Sequence, residues 1–454
     1  MKNATFILFW PDAKNLKQNG FAKISHVPCV FNGEWQYQQV PSLYLRHRAL
    51  GMVKTIQYAV QIRRGRYPTK ASMKAYGAAV TNFLEWCGAT GRRWQAVSYV
   101  DDVLHGYQNH MNSGQWSARN VPLSAHTVNA RVDEACRFLS WASARELREA
   151  FNVVTTRMAV SADSGTYTRG HKLKVVEARV GSVRPNPVTL RIPTDAEVVA
   201  WHSSVFVRSG LTKALMCELV LATAIRREET VQWRVDTLPL DRESWNIVGD
   251  EVKVKIKYGT KGAKTEDVHG EEVGPERTIC IPLSVALDLD RYRKFVRPKL
   301  LAKFVRAATT DKEKRRRIAA GSNRLFLSDS TGEPVSAQRF YEAWAQAPRR
   351  PFEGWAPHLG RNWWACKQLL LSCERRVKTA SSGGAFGDEH GIVVSTAMDV
   401  IMMEIKPQLG HVSEETTQKY LVWIHSIYKL KALHDDYGSA LENVACIFEA
   451  NVNG

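Results

Sequence analysis

The second half of the chain contains charged and phenolic side chains that could act together on an anionic substrate, although they lie far apart in the sequence. They are Arg226 with Glu229, His358 with Arg361, and Leu409-Gly410-His411 with Tyr420 nine positions after the histidine. A guanidinium donates in a fork to an oxyanion, an imidazole moves a proton near neutral pH, and an ionised phenol is a nucleophile. Each fragment alone is typical of ordinary surface or core residues, so only their joint order points to a function.

Several other catalytic motifs are missing from the sequence. Gly259–Thr265 approaches a phosphate-binding G-x-x-x-x-G-K-[ST] loop, but Ala263 stands where that loop has its second glycine. There is no H-E-x-x-H, no G-x-S-x-G and no cluster of carboxylates typical of a two-metal site. The eight cysteines form no C-x-x-C pair and no zinc-ligand spacing with histidines. We therefore expect neither a metal nor a cofactor.

The candidate residues fall at helix ends and on a hairpin of a mostly helical region over 193–454. The spacing of Thr194 and Glu197 is that of a capping box at a helix start. Two strand-like runs, Val252–Tyr258 and Arg277–Pro282, are joined by a connection that contains glycine and lysine. Apolar spacing predicts further helices at about 212–224, from Glu228, and at about 284–308, 336–346, 360–378, 395–405 and 413–449. The runs Asp311–Arg317 and Ser381–Gly391 are expected to be exposed insertions.

The first part of the chain has a different pattern. Residues 1–66 contain three strand-like runs, Thr5–Trp10, Val27–Phe31 and Trp35–Val40, and are expected to form a small, partly β arm. Over 67–160, apolar spacing predicts a basic helical module with helices from Thr69, over Tyr99–Met111 and from Ser124. Residues 161–192 are rich in Gly, Pro, Arg and Lys and are predicted to be an extended basic linker. The predicted fold class is mainly α with a small β-sheet (α+β).

Composition bounds the function classes. The chain has 454 residues with 63 Lys plus Arg against 45 Asp plus Glu, a formal net charge of +18. A chain this basic is expected to meet a polyanion, most commonly nucleic acid, although a soluble basic enzyme is the alternative on charge alone. The scattered cysteines fit a reducing compartment. With no signal-peptide pattern and no apolar run of about 20 residues, we expect a cytoplasmic protein, bacterial and nucleoid-associated, with no membrane partner.

Taken together and in order, the pieces resemble the tyrosine recombinase (phage integrase) family. Its boxes read A-T-G-[LI]-R-x-x-E, a hairpin lysine, H-x-L-R-H, and L-G-H with a tyrosine nine residues on. This chain matches them with Ala222-Thr223-Ala224-Ile225-Arg226 and Glu229, Lys261, His358 and Arg361, and Leu409-Gly410-His411 with Tyr420. The resemblance covers about 190–435. The helical module fits the family's core-binding domain in position and size, whereas residues 1–66 are not covered.

The resemblance implies a role for each matched residue. Arg226 and Arg361 would bind the nonbridging oxygens of a DNA phosphodiester, and Tyr420 would attack its phosphorus to form a 3′-phosphotyrosine without ATP or metal. His358 and His411 would donate hydrogen bonds or move a proton, and Lys261 would protonate the leaving 5′-oxygen. Glu229 would support Arg226 or His411 rather than contact DNA.

Some positions depart from the family pattern or leave an alternative open. Ala224 replaces the usual glycine, Gly360 the usual leucine and Asn362 the usual second histidine. Lys264 competes with Lys261 for the hairpin role, since the connection is longer than is typical of the family. Arg227 competes with Arg226, but the match to the box places Arg226 in the site.

The sequence therefore predicts a site-specific recombinase or integrase that binds double-stranded DNA core sites as a clamp between residues 67–160 and 190–454. It would act as a tetramer, exchange strands through a Holliday junction, and have accessory DNA-bending or directionality proteins as possible partners. The segment after Tyr420 either covers its own core or docks on a neighbouring protomer. Two rivals are a type IB topoisomerase, which would relax a plasmid without a specific site, and a non-catalytic DNA-binding protein of the same fold.

Overall fold

The structure is a computed structural model that describes residues 5–53, 68–161, 173–184, 190–262, 264–267, 271–382, 396–410 and 419–428. It divides into two compact units, Met1–Val188 and Thr189–Gly454. Both are mainly helical with small antiparallel sheets, so the predicted fold class is confirmed. In the part of the chain that the structure describes, no helix has the length and apolar character to span a bilayer. The four-segment division made from the sequence stays a prediction.

Helices of the first unit surround one apolar core. They are α1 (Ala13–Gln18), α2 (Gln39–Ala49), α3 (Lys70–Ala89), a π-helical segment (Tyr99–Gln108) continued by α4 (Asn109–Ser113), and α5 (Ala125–Ser143). Thr69 and Ser124 cap α3 and α5, each by accepting a hydrogen bond from the backbone N–H three residues on. The predicted starts of these two helices are therefore confirmed.

Two antiparallel strand pairs complete the first unit. They are β1 (Phe6–Phe9) with β2 (Cys29–Asn32), and β3 (Thr155–Ser161) with β4 (Leu173–Arg179). The prediction of a strand over Trp35–Val40 is wrong: Tyr37 makes a single bridge to Phe31, and α2 begins at Gln39. The β4 strand lies inside the segment for which an extended linker is predicted.

The second unit contains the helices that carry the candidate residues. They are α6 (Asp195–Ser209), α7 (Leu211–Thr223), α8 (Arg227–Val231), α9 (Leu283–Arg291), α10 (Arg297–Arg306), α11 (Asp311–Gly321), α12 (Ala337–Ala345) and α13 (Pro357–Ser382). The helix α14 comprises residues 396–400, a π-helical turn Ile401–Ile405 and Lys406–Leu409, and α15 is described over 419–428. The capping box of Thr194 and Glu197 forms as the spacing predicts. The run at 311–317 is exposed for the most part but belongs to α11.

One four-stranded antiparallel sheet lies in the second unit, in the order β5 (Asn246–Val248), β6 (Glu251–Tyr258), β8 (Glu272–Pro282), β7 (Thr265–Glu266). Burial alternates strictly along β6. Its valines and isoleucine face the core, so its three lysines lie in a row on the exposed face. The lysine row comprises Lys253, Lys255 and Lys257.

Two apolar clusters support the second unit. In the larger one, the rings of Trp201 and Trp344 lie 4.4 Å apart between centroids. A Cβ on Gly360 would lie 2.6 Å from the Trp344 ring, which explains why this chain has no leucine there. The smaller cluster contains Ala224, residues of α13 and α14, and Tyr420. Residues 383–395, 411–418 and 429–454, where parts of predicted helices and of an exposed insertion fall, lie outside the described residues.

Candidate active site

Arg226 is placed by a sharp reversal between two helices. The helix α7 ends at Thr223, and Ala224 adopts a left-handed conformation with φ of +53°. Arg226 then takes an extended conformation as the N-cap of α8. A left-handed backbone costs a residue with a Cβ about 1–2 kcal/mol. A glycine, as the family box has at this position, would avoid that cost.

Glu229 is a buried carboxylate that binds two arginines. Its Oε2 accepts the backbone N–H of Arg226 at 2.6 Å, and its Oε1 accepts Nη1 of the same residue at 2.9 Å. Arg277 on β8 donates to Oε2 from Nη2 at 2.7 Å. Burial by itself would raise the pKa of Glu229, but Arg277 and Arg226 outweigh it and hold this pKa below its ordinary value. The carboxylate is therefore ionised at neutral pH.

Three successive backbone carbonyls at the C-terminal end of α14 accept hydrogen bonds from three arginines. The carbonyl of Gln408 accepts Nη1 of Arg277, that of Leu409 accepts Nη2 of Arg361 at 2.9 Å, and that of Gly410 accepts Nη2 of Arg226 at 3.1 Å. The last carbonyls of a helix have no partner within it and form the negative end of its dipole. Cationic donors suit them for both reasons, so the end of α14 fixes all three guanidiniums.

Gly410 makes this arrangement possible. Its φ is +61°, and a Cβ there would lie 2.9 Å from Cδ of Arg277 and 3.5 Å from Nη1 of Arg226. The Gln408 side chain attaches the end of α14 to α7 and β8, because its amide donates hydrogen bonds to the carbonyls of Thr223 and Cys280. The glycine of the L-G-H match is thus explained by the space that the arginines occupy.

Arg361 reaches the site from the first turns of α13. Its Nη1 donates to the carbonyl of Ala224 and lies 3.9 Å from Oε2 of Glu229. Burial, together with the nearby charge of Arg226, lowers the pKa of Arg361 to about 9. The guanidinium stays protonated at neutral pH.

The site carries more positive than negative charge. Three guanidiniums surround the single carboxylate of Glu229, and their side chains are 24% exposed for Arg226, 14% for Arg277 and 9% for Arg361. A partly buried surplus of guanidinium is suited to bind an oxyanion, and planar forks fit the oxygens of a phosphate. Arg226 is the most accessible of the three.

Tyr420 lies beside this arginine cluster with its hydroxyl bonded to α13. The side chain is 1% exposed, and Oη donates to Oδ1 of Asn362 at 3.0 Å. Burial and the neighbouring Cys366 raise the pKa of Tyr420, and the charge of Arg361 partly offsets them. Lys419 donates to the same Oδ1 at 2.9 Å.

His358 and the hairpin lysines have fewer contacts. His358 is exposed in the first turn of α13, where desolvation and the charge of Lys419 lower its pKa. Lys261 is exposed, whereas Lys264 donates to the carbonyl of Thr260 at 2.6 Å. The connection that carries both lysines starts against α8, because a Cβ on Gly259 would lie 2.8 Å from the backbone nitrogen of Glu229.

A cleft of about 490 Å³ lies at the sheet of the second unit. It is lined by Glu229 and by the lysine row of β6, with Asp236 and Glu276 also on its walls. One of the lysines, Lys255, pairs with Glu276 at 3.2 Å on the exposed surface, where such a pair contributes little. The cleft therefore carries three lysines and three carboxylates, and Glu229 is the residue that it shares with the arginine network.

The structure brings some of the predicted site residues into one network. Arg226, Glu229 and Arg361 share contacts, and Tyr420 lies one hydrogen bond from the residue after Arg361. No described contact joins His358 or Lys261 to this network by a hydrogen bond, and His411 lies outside the described residues. Arg227 pairs with the exposed Glu228 instead.

Three further residues take part in this network without belonging to any of the matched boxes. They are Arg277, Gln408 and Lys419. A lone arginine in a strand pattern carries no spacing signal, so Arg277 is visible only once β8 is seen to lie against α8. Within the described ranges, no cluster of three or more His, Cys, Asp or Glu side chains could hold a metal ion.

No family model and no curated protein matches the chain. Several solved structures are similar to the chain. One is the crystal structure of XerH site-specific recombinase bound to palindromic difH substrate. Its chain is 12% identical in sequence, the match covers 88% of this chain and 94% of the XerH chain, and the TM-score is 0.46. The Tn1549 transposon integrase in complex with circular intermediate DNA is 12% identical, with 84% and 94% covered and a TM-score of 0.43. XerA recombinase is 14% identical, with 86% and 98% covered and a TM-score of 0.30. These proteins are recombinases and an integrase, the class that the sequence resembles.

Proposed function

We propose that the chain is a site-specific tyrosine recombinase that cleaves and rejoins double-stranded DNA. The observation that carries this proposal is the cluster of Arg226, Arg277 and Arg361 around Glu229, with the phenol of Tyr420 beside it. Such a cluster supplies fixed positive charge where a phosphodiester gains negative charge in its transition state. Tyrosine is the nucleophile available beside it.

The proposed step conserves atoms and charge. Oη of Tyr420 bonds to the phosphorus, the bond from phosphorus to the 5′-oxygen breaks, and a 3′-phosphotyrosine results. His358 accepts the proton of the phenol, which suits an imidazole whose lowered pKa keeps it neutral. Lys261, exposed on the connection next to α8, gives a proton to the leaving 5′-oxygen. Attack by a 5′-hydroxyl reverses the step, so rejoining needs no ATP.

The remaining assignments follow the same scheme. Arg226 and Arg361 bind the nonbridging oxygens, and Glu229 orients Arg226 without contacting DNA. We assign His411 a hydrogen bond to the phosphate from its place directly after Gly410. Cationic side chains provide the charge stabilisation, so no cofactor or metal enters the proposed reaction.

The lysine row of β6 provides a binding surface for the DNA backbone. Alternate residues of a strand lie about 6–7 Å apart on one face. Lys253, Lys255 and Lys257 therefore present a regular line of charge on the exposed face of β6, and they line the cleft together with Glu229. Contacts of this kind position DNA without reading its sequence.

We further propose that the enzyme works as a homo-tetramer on two DNA sites and exchanges strands through a Holliday junction. The segment after Tyr420 would join neighbouring protomers head to tail, a contact that can close into a ring. Accessory DNA-bending or directionality proteins would select integration or excision.

The decisive experiment is covalent trapping on nicked DNA. The full chain is incubated with a library of nicked duplexes of random sequence and with duplexes from the DNA that flanks its gene, and denaturation-resistant adducts are selected and sequenced. Wild type is expected to give an adduct on a defined sequence, and Tyr420→Phe is expected to give none. Tyr428→Phe, the same change on the same helix, serves as the matched control and is expected to form the adduct. No adduct from wild type would overturn the proposal, and an adduct from Tyr420→Phe would show a different nucleophile.

One observation favours a second candidate, a DNA-binding protein without catalysis. The Tyr420 hydroxyl is buried and bonded to Asn362, so it cannot attack DNA without leaving this position. This candidate predicts specific, salt-dependent binding of a duplex by wild type and by Tyr420→Phe alike, with no adduct from either. Binding assays run beside the trapping experiment separate the two.

A further inference from the structure

The helices α10 and α11 carry a large share of the chain's positive charge. Between residues 297 and 317, nine residues are Lys or Arg and two are Asp or Glu, which gives a formal charge of +7. The whole chain has a formal charge of +18. The second part of this segment, residues 311–317, is an exposed run to which the proposed cleavage reaction gives no role.

Helix α11 adds almost nothing to the apolar core. In the described parts of the chain, none of the residues 311–320 belongs to an apolar cluster. Arginines hold the helix in place instead. Arg317 donates to Glu313 on α11 and to the carbonyl of Phe304 on α10, and Arg297 donates to two carbonyls at the end of α11. A helix that is polar all round is not explained by burial, so its outer surface is what it contributes.

The other cations of this segment form one stripe on each helix, because residues three, four and seven positions apart share a helix face. All of them are exposed, and no described carboxylate pairs with any of them. One of these side chains, Lys303, donates to the backbone carbonyl of Asp329 at 3.2 Å. The α10 stripe comprises Lys299, Lys303 and Arg306, and the α11 stripe comprises Lys312, Arg315 and Arg316.

The charges of the α11 stripe repel one another. Lys312 is three positions from Arg315 and four from Arg316, and like charges at these spacings destabilise a helix. Lys312 also lies in the first turn of α11, at the positive end of the helix dipole. By contrast, the exposed Arg291 has a carboxylate partner in Asp288. An anion that neutralises the α11 stripe would remove this repulsion, so the surface fits a polyanion.

The α10 stripe and the arginine cluster lie at opposite ends of α7. At the N-terminal end, the N–H and the hydroxyl of Thr212 donate to the carboxylate of Asp329, whose backbone carbonyl accepts Lys303. Arg226 follows the C-terminal end. The 13 residues of α7 span about 20 Å. Phosphates of one strand repeat about every 3.4 Å along the duplex axis, so a duplex that spans both places would meet the α10 stripe about six base pairs from the phosphate in the candidate site.

We propose that the α10 and α11 stripes bind the phosphate backbone of duplex DNA outside the stretch that the arginine cluster holds. The stripes contain six cations and no aromatic residue, whereas the centre of a protein–protein interface is depleted in charge and enriched in aromatic side chains. This composition favours DNA over an acidic protein. Phosphate contacts of this kind add affinity without reading the bases. The inference goes beyond the proposed function, since binding here needs neither Tyr420 nor the arginine cluster.

The test is the salt dependence of affinity, measured with the full chain and a random-sequence duplex several helical turns long. Each phosphate contact contributes about 0.9 to the slope of log affinity against log salt. Replacing the α11 stripe by glutamine is therefore expected to lower this slope by about 2.7. A second variant, Lys299→Gln with Arg306→Gln, is expected to lower it by about 1.8. The α11 changes are Lys312→Gln, Arg315→Gln and Arg316→Gln.

Two control variants separate phosphate contacts from net charge and from folding. A charge-keeping variant of the α11 stripe, with Lys312→Arg, Arg315→Lys and Arg316→Lys, is expected to keep the wild-type slope. The second control removes three cations that sit in exposed ion pairs of the same unit, and it is expected to change the slope by less than about 0.9. Its changes are Arg291→Gln, Arg339→Gln and Arg376→Gln.

A wild-type slope in both glutamine variants overturns the inference. An equal loss of slope in the ion-pair control also overturns it, because net charge alone would then explain the effect. Binding of poly-glutamate that the α11 variant loses, with an unchanged slope for duplex, overturns it as well and assigns the surface to an acidic protein. Trapping on nicked DNA reports separately on the proposed function. No adduct from wild type refutes recombination, whereas an adduct together with unchanged slopes refutes only the role of the stripes.

Discussion

Replacing Glu229 by glutamine removes a buried negative charge from beneath three guanidiniums. The carboxylate is 0% exposed and accepts hydrogen bonds from Arg226 and Arg277 on both of its oxygens. Glutamine keeps the shape but turns one acceptor into a donor that faces other donors. Loss of one partner from a buried ion pair costs about 3–5 kcal/mol, because the remaining charges stay buried without compensation.

The magnitude can be read as a change in melting temperature. For a domain of this size, 1 kcal/mol corresponds to roughly 2–4 °C, so Glu229→Gln should lower the Tm of the second unit by roughly 6–20 °C. Thermal unfolding followed by circular dichroism measures this directly. The matched control is Glu228→Gln one residue away, whose pair with Arg227 is 49% and 41% exposed. An exposed pair is worth about 0–1 kcal/mol, so this control should melt close to wild type.

The pH dependence of Tm gives a second test of the role of Glu229. The pKa of Glu229 is lower in the folded chain than its ordinary value of about 4.3. The ionised Glu229 carboxylate therefore contributes fully to the free energy of unfolding above about pH 4.3. This contribution is lost as the pH falls through the lower pKa of the folded chain. The Tm difference between wild type and Glu229→Gln should be constant from pH 7 to about 5 and should narrow below about 4. Equal melting of Glu229→Gln and Glu228→Gln at pH 7 would refute the view that Glu229 holds the arginine cluster together.

Three further predictions concern the arginines, the core and the sheet. Gly410→Ala should destabilise the second unit by about 1–3 kcal/mol, since a left-handed backbone is strained and the new methyl displaces Arg277; unchanged unfolding and adduct formation would contradict this. Gly360→Leu should cost about 1–3 kcal/mol by overpacking against Trp344, and a smaller residue at 344 should recover part of the loss in urea unfolding. Each glutamine in the lysine row should reduce the slope of log affinity for duplex against log salt by about 0.9, and an unchanged slope for the triple variant would show that DNA does not follow β6. The changes in the row are Lys253→Gln, Lys255→Gln and Lys257→Gln.

Local signals in the sequence predicted local structure well. The capping box of Thr194 forms as its spacing predicts, and the helices predicted from Thr69 and Ser124 begin there, because helix starts depend on residues within one helical turn. The prediction of a strand over Trp35–Val40 is wrong because a strand-like pattern and a helical pattern overlap in this segment. Alternating aromatic residues favour a strand there, but the apolar spacing that follows is helical and places buried residues of α2 in the core.

In the candidate site, too, contacts between residues close in sequence were predictable, whereas contacts between distant residues were not. Arg226 and Glu229 are three positions apart at a helix start, so their contact follows from local geometry. Arg277 shares the same carboxylate across 48 positions, and that contact depends on how β8 meets α8. No spacing rule contains this information. The departures from the family pattern at Ala224 and Gly360 are likewise visible as constraints only in the structure. Ala224 has a left-handed backbone, and the Trp344 ring occupies the space beside Gly360.

The end of α14 has a consequence for the making of the protein. Its three carbonyls follow their arginine partners in the chain by 184, 131 and 48 positions. A ribosome must therefore finish residue 410 before the last of these contacts can form. Until then the nascent polypeptide exposes cations without their final orientation, and the phenol ten residues further on has not yet been added. Under the proposed function, a half-translated copy therefore lacks both the ordered arginine cluster and the nucleophile.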